Sequence, residues 1–121
     1  MGKRVLVAED EPSIAESLKF LLVRAGFDVS VETNGTAAMQ ELSKDRPDVL
    51  VLDVMMPGLD GYSILKQLRA APDTANLPVI MLTAKGQAED RATALECGAD
   101  AFITKPFSNA EIVDMVTRFA G

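Results

Sequence analysis

The sequence predicts an α/β fold: a doubly wound, five-stranded parallel sheet with strand order 2-1-3-4-5 and five helices. Five short apolar segments rich in β-branched residues recur along the 121 residues, and each is followed by a stretch long enough for a helix. Three segments are apolar throughout, as expected of central strands covered by helices on both faces. The segment Asp28–Glu32 alternates polar and apolar residues instead, which is typical of an edge strand.

The boundaries of the elements follow from local signals. The predicted strands cover residues 4–8, 28–32, 48–52, 78–82 and 101–103. The second and third helices are predicted over 35–44 and 61–70, and the fourth begins near position 87. Residues typical of helix starts are Pro12, Asn34, Asp60 and the capping box Ser108-Asn109-Ala110-Glu111. Residues typical of helix ends are Gly26 and Gly98.

Composition narrows the classes of function. Eighteen acidic residues against twelve basic ones give a net charge of −6, and the basic residues do not cluster, so direct binding to DNA or RNA is not expected. No apolar run approaches the roughly 18 residues of a membrane span. Cys97 has no second cysteine with which to form a disulfide. We expect one cytoplasmic domain over residues 1–121, without membrane insertion.

Polar side chains stand at the predicted carboxyl ends of four strands. They are Glu9 and Asp10 after strand one, Asp53 after strand three, Thr83 after strand four and Lys105 after strand five. In an open parallel sheet, ligands bind at this edge, beside the point where the strand order reverses. We therefore expect these five side chains to gather in one pocket.

The three carboxylates of this group indicate a divalent metal. Glu9, Asp10 and Asp53 would repel one another and raise one another's pKa unless a cation lay between them. Carboxylates, a backbone carbonyl and water suit Mg²⁺, and a turn at residues 55–58 would bring the Met55 carbonyl toward it. Taken alone, Glu9 and Asp10 also fit an acidic helix start favoured by the helix dipole. Asp53 follows a buried strand and needs a crevice or a partner.

The same group of residues suits phosphoryl chemistry. A carboxylate beside Mg²⁺ can attack phosphorus and form an acyl phosphate, and Asp53 is the candidate nucleophile. Phosphoryl transfer also needs cationic and hydroxyl groups directed at the phosphoryl oxygens, which Lys105 and Thr83 can supply. Each residue alone is weak evidence, and their joint placement at successive strand ends carries the interpretation.

The sequence contains three motifs: Val5-Leu6-Val7-Ala8-Glu9-Asp10-Glu11-Pro12, Val51-Leu52-Asp53-Val54-Met55-Met56-Pro57-Gly58-Leu59-Asp60-Gly61 and Gly98-Ala99-Asp100-Ala101-Phe102-Ile103-Thr104-Lys105-Pro106-Phe107. They resemble the motifs of the receiver domains of two-component response regulators, a family with a flavodoxin-like fold. The resemblance spans essentially the whole chain, and the three motifs together are highly specific.

The resemblance implies a set of roles for the site residues. Asp53 would accept a phosphoryl group from a sensor histidine kinase or a phosphotransfer protein. Mg²⁺ would be bound by Asp10, Asp53 and the Met55 carbonyl, with Glu9 assisting through water. Thr83 and Lys105 would bind the phosphoryl oxygens. Glu9 stands where Asp is most frequent in the family, which lengthens the side chain by one methylene without removing the charge.

The resemblance also implies a conformational switch. Phosphorylation of Asp53 would draw Thr83 toward the new oxygens, and Phe102 would fill the space that Thr83 leaves. The face formed by the fourth helix, the fifth strand and the last helix would then change for a downstream effector, in a monomer or a phosphorylation-promoted homodimer. Phe102 lacks the hydroxyl of the common Tyr, so its role would depend on apolar packing. The Lys105–Pro106 peptide bond would be cis.

Three other functions are compared with this one. A phosphatase of the haloacid dehalogenase type would have a second Asp at position 55, where this chain has Met. A flavin-binding flavodoxin would need a loop rich in Ser, Thr and Gly after strand one, where this chain has Glu9-Asp10-Glu11. A phosphorylation-independent docking module would need neither metal nor phosphoryl group, although every motif position here is chemically competent.

Overall fold

A five-stranded parallel sheet forms the centre of the protein. The computed structural model describes residues 2–54, 56, 60–83 and 95–120. The strand order β2-β1-β3-β4-β5 is the predicted one. All four pairs of neighbouring strands are parallel. The strands are β1 (Arg4–Ala8), β2 (Asp28–Glu32), β3 (Val49–Asp53), β4 (Val79–Thr83) and β5 (Ala101–Thr104).

Three strands end one residue later than predicted. Asp53 and Thr83 are therefore the last residues of β3 and β4 rather than the first residues after them. In the ladder, Asp53 is paired with Leu82, and the next residue, Val54, donates its N–H to the Leu82 carbonyl at 3.1 Å. The prediction ended each strand at its last apolar residue, whereas backbone pairing continues through the polar one.

The described residues contain four of the five predicted helices in full. They are α1 (Pro12–Arg24), α2 (Gly35–Lys44), α3 (Gly61–Ala70) and α4 (Asn109–Ala120). The predicted helix from about position 87 lies outside the described residues, apart from its last positions. Leu95 and Glu96 are helical, and Gly98 follows with a φ of +102°, as expected of a glycine that ends a helix.

The helix starts use the predicted caps. The Asn34 side chain accepts the Ala37 N–H at 2.8 Å, and the Asp60 side chain accepts the Ser63 N–H at 2.8 Å. Before α4, the Ser108 hydroxyl accepts the N–H of Glu111 at 3.1 Å. Each cap satisfies one of the N–H groups that have no partner within the helix. The third helix therefore begins at a fixed point close to the end of β3.

Two apolar layers cover the two faces of the sheet. Because successive residues of a strand point to opposite faces, continuous apolar runs supply both layers at once. One layer combines strand residues with α2 and α3, and its members include Leu6, Leu50, Leu52, Met81, Ala38, Leu42, Ile64 and Leu65. The other combines strand residues with α1 and α4, and its members include Val5, Val7, Val51, Ile80, Leu18, Leu22, Ile112 and Val116. The strand ends are thus held by a rigid core.

Arg69, near the end of α3, joins three parts of the chain. Its guanidinium donates hydrogen bonds to the carbonyls of Gly98 (2.9 Å) and Leu77 (2.8 Å) and to the Asp100 carboxylate (3.0 Å). The same Asp100 oxygen accepts the Val79 N–H at 2.8 Å. Arg69 therefore connects α3 with the turn before β5 and with the start of β4. Within the described residues, no helix has both the length and the apolar character needed to cross a bilayer.

Candidate functional site

The carboxyl edge of the sheet brings three carboxylates together. Glu9 and Asp10 follow β1, and Asp53 ends the neighbouring strand β3. Each residue offers one carboxylate oxygen, and these three oxygens lie within 4.8 Å of one another. Glu9 and Asp53 are buried, whereas Asp10 is exposed. The cluster therefore has two inner carboxylates and one that faces solvent.

Lys105 lies between the two buried carboxylates. Its Nζ atom is 3.1 Å from Asp53 Oδ2 and 2.8 Å from Glu9 Oε1. Its backbone N–H donates to the Thr83 carbonyl at 2.7 Å, which fixes the start of the segment after β5. The Lys105–Pro106 peptide bond is cis. Among the described residues, Lys105 therefore supplies a positive charge in direct ion-pair contact with Asp53.

Burial controls the ionisation of Glu9. The side chain is fully buried, and loss of hydration, followed by the hydrogen bond to Asp53, raises the pKa of this carboxyl group above its ordinary value. Lys105 and the Glu11 N–H oppose the shift, because both favour the charged form. The Glu11 N–H reaches Glu9 Oε2 at 3.1 Å. Ionised Glu9 is therefore held at a cost in free energy.

Lys105 remains a cation in this setting. Its own burial would lower the pKa of the ammonium group, but contact with Glu9 and Asp53 outweighs burial and raises the pKa above its ordinary value. The three side chains therefore form a cluster of two buried carboxylates and one half-buried ammonium group. The negative charge of the cluster is only partly balanced.

One carboxylate oxygen at this site is incompletely satisfied. Glu9 Oε1 is buried and has no partner in hydrogen-bond geometry among the described residues, although Lys105 Nζ lies within ion-pair distance. Buried polar atoms normally have such a partner, so this oxygen has capacity for another ligand. Oxygen atoms of three carboxylates are the donor set that Mg²⁺ prefers. The residues present fit a magnesium ion.

Thr83 lies at the carboxyl edge of the sheet, and Phe102 lies further from that edge. Thr83 is buried at the end of β4, one residue beyond the ladder partner of Asp53. Phe102 pairs with Met81 further back in the sheet, is half-buried, and packs against the apolar layer that includes Tyr62. The structure therefore brings Glu9, Asp10, Asp53 and Lys105 together and places Thr83 at the same edge. Met55, the remaining predicted metal ligand, lies outside the described residues.

Gly61 was not singled out as a site residue from the sequence. A Cβ atom at this position would lie 2.4 Å from the Asp53 carbonyl oxygen and 3.0 Å from the Val54 Cα. The Gly61 N–H donates to the Val54 carbonyl at 3.0 Å. The first turn of α3 thus touches the backbone of Asp53, and only glycine permits this approach. The sequence signal for this close approach was a glycine directly after the helix cap Asp60.

We expect Gly61→Ala to destabilise the protein by about 1–3 kcal/mol, the usual range for an added group in a packed site. The added methyl group meets backbone atoms, which cannot rotate away as a side chain can. Urea unfolding followed by circular dichroism measures the change. Ser63→Ala, in the same turn of α3, serves as a control. An unchanged midpoint for Gly61→Ala would contradict the close approach.

A groove beside Lys105 was also missed. It has a volume of about 490 Å³ and lies between α1 and the start of α4. Its lining residues are Ser13, Ile14, Ser17, Leu21, Lys105, Pro106, Phe107 and Asn109. Ile14 and Leu21 belong to the apolar stripe of α1, and the stripe alone does not show that part of it borders a groove rather than the core.

Comparison with known proteins assigns the chain to a family. The family described as "Response regulator receiver domain" matches residues 5–117. The chain belongs to the response regulator receiver domain family. The match includes the carboxylates, the lysine and the strand ends that carry them, so the resemblance noted from the motifs is confirmed.

Curated relatives of this receiver domain are longer proteins. The "Alkaline phosphatase synthesis transcriptional regulatory protein PhoP" of Bacillus subtilis is 44% identical over 112 residues, which cover 93% of this chain and 46% of that protein. The receiver domain spans about half the length of the curated relatives that it matches.

Solved structures share the whole fold. A putative response regulator from Chloroflexus aurantiacus superposes with a TM-score of 0.96 at 36% identity, covering 99% of this chain and 98% of that one. The receiver domain of the sensor histidine kinase PA1611 from Pseudomonas aeruginosa has a TM-score of 0.92 at 30% identity, covering 100% of this chain and 99% of that one. That structure has a magnesium ion coordinated in its active-site cleft.

Proposed function

We propose that the protein is a phosphoacceptor switch of a two-component system and that Asp53 receives the phosphoryl group. The observation that carries this proposal is the position of the Asp53 carboxylate, which ends a buried strand 3.1 Å from Lys105 Nζ and within 4.8 Å of the Glu9 and Asp10 oxygens. A carboxylate nucleophile needs nearby positive charge for the oxygens of the incoming phosphoryl group, and this edge supplies it.

The transfer step follows from these positions. An Asp53 oxygen attacks the phosphorus of a phosphohistidine on a kinase or phosphotransfer protein, the new O–P bond forms, and the P–N bond breaks with its electron pair going to the imidazole. The Lys105 ammonium then shifts from the carboxylates toward the phosphoryl oxygens. The Thr83 hydroxyl donates to another of these oxygens.

Glu9, Asp10 and Asp53, with the Met55 carbonyl, would bind Mg²⁺. When bound, the ion neutralises negative charge on the transferring group and lowers the barrier for attack by an anionic carboxylate. The buried Glu9 oxygen without a hydrogen-bond partner supports this assignment. The magnesium-containing receiver domain of the PA1611 kinase, which is 30% identical, supports it further.

Phosphorylation would change a surface that a partner reads. Charge and acceptor oxygens added at Asp53 would draw Thr83 inward and let Phe102 move from its half-buried position into the vacated space. The affected surface would include β5 and α4 together with the segment before Gly98. We further propose that residues 1–121 form one receiver domain acting in the cytoplasm, as a monomer or a phosphorylation-promoted homodimer, with no direct contact to nucleic acid.

Two alternatives are separated by the chemistry of the site. An aspartate-nucleophile phosphatase would need a general acid two residues after Asp53, and position 55 is a methionine. A docking module that works without phosphorylation would have no need for the buried carboxylate of Glu9 beside the half-buried ammonium group of Lys105, a pair that is costly to keep. The phosphoacceptor role accounts for both features.

Intact-mass measurement after incubation with Mg²⁺ and phosphoramidate tests the proposal. We expect the wild-type protein to gain one phosphoryl group and Asp53→Asn to gain none. Asp60→Asn is the matched control, because asparagine caps a helix as well as aspartate does and the same change of charge is made nearby. Equal uptake by wild type and Asp53→Asn would refute the assigned acceptor, and continuous phosphate release from many phosphate monoesters would favour the phosphatase.

A further inference from the structure

The outward side of α1 exposes two large apolar side chains. Among the described residues, the exposed large apolar side chains are Phe20 (61%), Val23 (50%) and Leu95 (50%). Phe20 and Val23 lie one helical turn apart, whereas the opposite side of α1 buries Leu18 and Leu22 in the core. Phe20 and Val23 form a small apolar patch, and a neighbouring molecule that covered it would remove this apolar surface from water.

Charged residues of opposite sign flank Phe20. Glu16 lies four residues before it and Arg24 four residues after it, so one row along the helix reads acid, aromatic, base. The Arg24 guanidinium carbon lies 5.5 Å from the centre of the Phe20 ring. Together with Lys19 and Val23, these residues line a shallow surface depression of about 390 Å³. We call Glu16, Lys19, Phe20, Val23 and Arg24 the Phe20 face.

The charge pattern of the Phe20 face is complementary to itself. If two copies of α1 pack antiparallel about a two-fold axis at Phe20, residues at equal distances before and after Phe20 face each other. Glu16 of each copy then opposes Arg24 of the other, and the two phenylalanines meet at the centre. The other members of the face meet no like charge, because Lys19 is opposed by position 21 and Val23 by position 17, which are Leu and Ser.

We propose that the Phe20 face binds a second copy of this chain in an antiparallel, two-fold symmetric pair. Rows of residues spaced by four pack together at a crossing angle of about −50°, which brings Phe20 to the closest point and leaves long side chains to pair on either side. We expect this interface to bury less surface than the roughly 1,200 Å² of stable complexes. The pair is therefore weak and exchanges rapidly. Phe20 lies about 12 Å along the helix from Pro12, so pairing leaves the carboxylate cluster accessible.

Charge-reversal variants test the pairing. In Glu16→Arg both flanking positions are basic, and in Arg24→Glu both are acidic, so each variant alone places like charges opposite each other at two points. Mixed in equal amounts, the two variants form a heterodimer in which both points are attractive again. Sedimentation analysis from about 10 μM to 1 mM covers the range of weak complexes. We expect each variant alone to associate roughly tenfold more weakly than wild type, and the mixture to recover wild-type association.

Two further variants locate the interface. Phe20→Ser is expected to weaken association by at least about tenfold, because it removes the central apolar contact. Leu95→Ser removes another exposed apolar side chain, outside the Phe20 face, and is expected to leave association unchanged. Far-UV circular dichroism checks that each variant is folded. A wild type that stays monomeric at about 1 mM, an unchanged Phe20→Ser dimer, or a mixture that does not recover association would each overturn the proposal.

Discussion

Lys105→Met is expected to slow phosphorylation of Asp53 by about a hundredfold and to tighten Mg²⁺ binding. A loss of about a hundredfold is typical when one group that stabilises charge in a transition state is removed. The lysine is a positive partner of Asp53 at 3.1 Å and of Glu9 at 2.8 Å. Without it, the oxygens of the transferring group lose their cationic contact. The same change leaves the carboxylates more negative and frees two of their oxygens, so a divalent cation binds more tightly.

Isothermal titration calorimetry with MgCl₂ and intact-mass time courses with phosphoramidate measure the two effects separately. Lys66→Met is the matched control, because Lys66 is an exposed lysine on α3 and the same charge is lost there. We expect this control to behave as wild type in both assays. The distinctive result is that Mg²⁺ affinity rises while the phosphorylation rate falls. A variant that lost both would show that Lys105 supports the fold of the site instead of competing with Mg²⁺ for the carboxylates.

Glu9→Gln is expected to stabilise the metal-free protein and to weaken Mg²⁺ binding by at least about tenfold. Burial raises the pKa of Glu9, so the ionised form is less favourable in the folded protein than in the unfolded chain. A neutral amide of similar shape removes this cost. A stabilisation of about 1 kcal/mol corresponds to a rise in Tm of a few degrees for a domain of this size.

The difference in stability between wild type and Glu9→Gln depends on pH. Below the ordinary pKa of 4.5, Glu9 is protonated in both states and the variant has no advantage. As the pH rises from there through the raised pKa of the folded state, the unfolded chain ionises first, so wild type loses stability relative to Glu9→Gln. At higher pH the difference is constant. With Mg²⁺ at about 100 times the wild-type dissociation constant, bound metal adds about 2.7 kcal/mol to wild type but only about 1.4 kcal/mol to a variant that binds tenfold more weakly, so the order of stability reverses.

Urea unfolding between about pH 3 and pH 8, with EDTA or with excess Mg²⁺, measures these differences in the range where carboxyl groups titrate. Glu96→Gln, at an exposed position, is the control for the loss of one negative charge from an acidic protein. A Glu9→Gln protein that is less stable than wild type without metal at neutral pH would contradict the assigned cost of the buried carboxylate.

Most of the fold could be predicted because its signals are local. The all-apolar runs at 49–52 and 79–82 are expected of strands in a sheet that is covered on both faces. The structure places α2 and α3 on one face and α1 and α4 on the other. The caps Asn34 and Asp60 act within three residues of themselves. Sequence reading fails by one residue at the ends of β3 and β4, because hydrogen-bonded pairing is set by the neighbouring strand.

The sequence predicts which residues gather at the candidate site, but it does not predict the contacts between them. Parallel strands place Glu9, Asp53 and Lys105 at one edge, and residue order alone is enough for that inference. It does not give the burial of Glu9, which depends on how the chain packs around it, nor the bridging of both carboxylates by one lysine. Gly61 was missed for a related reason: its role depends on a backbone contact with Asp53 across the turn between β3 and α3.

The bonds of Arg69 have a mechanical consequence. Since its guanidinium holds the carbonyl of Gly98 and the carboxylate of Asp100 while its backbone belongs to α3, the chain entering β5 cannot be displaced alone. Any displacement there must either break these bonds or pull the far end of α3 with it. Because Gly98 and Asp100 lie at the rim of the sheet opposite to Asp53, beside Leu77 and Val79, Arg69 makes the end of α3 and the starts of β4 and β5 move as one unit at that rim.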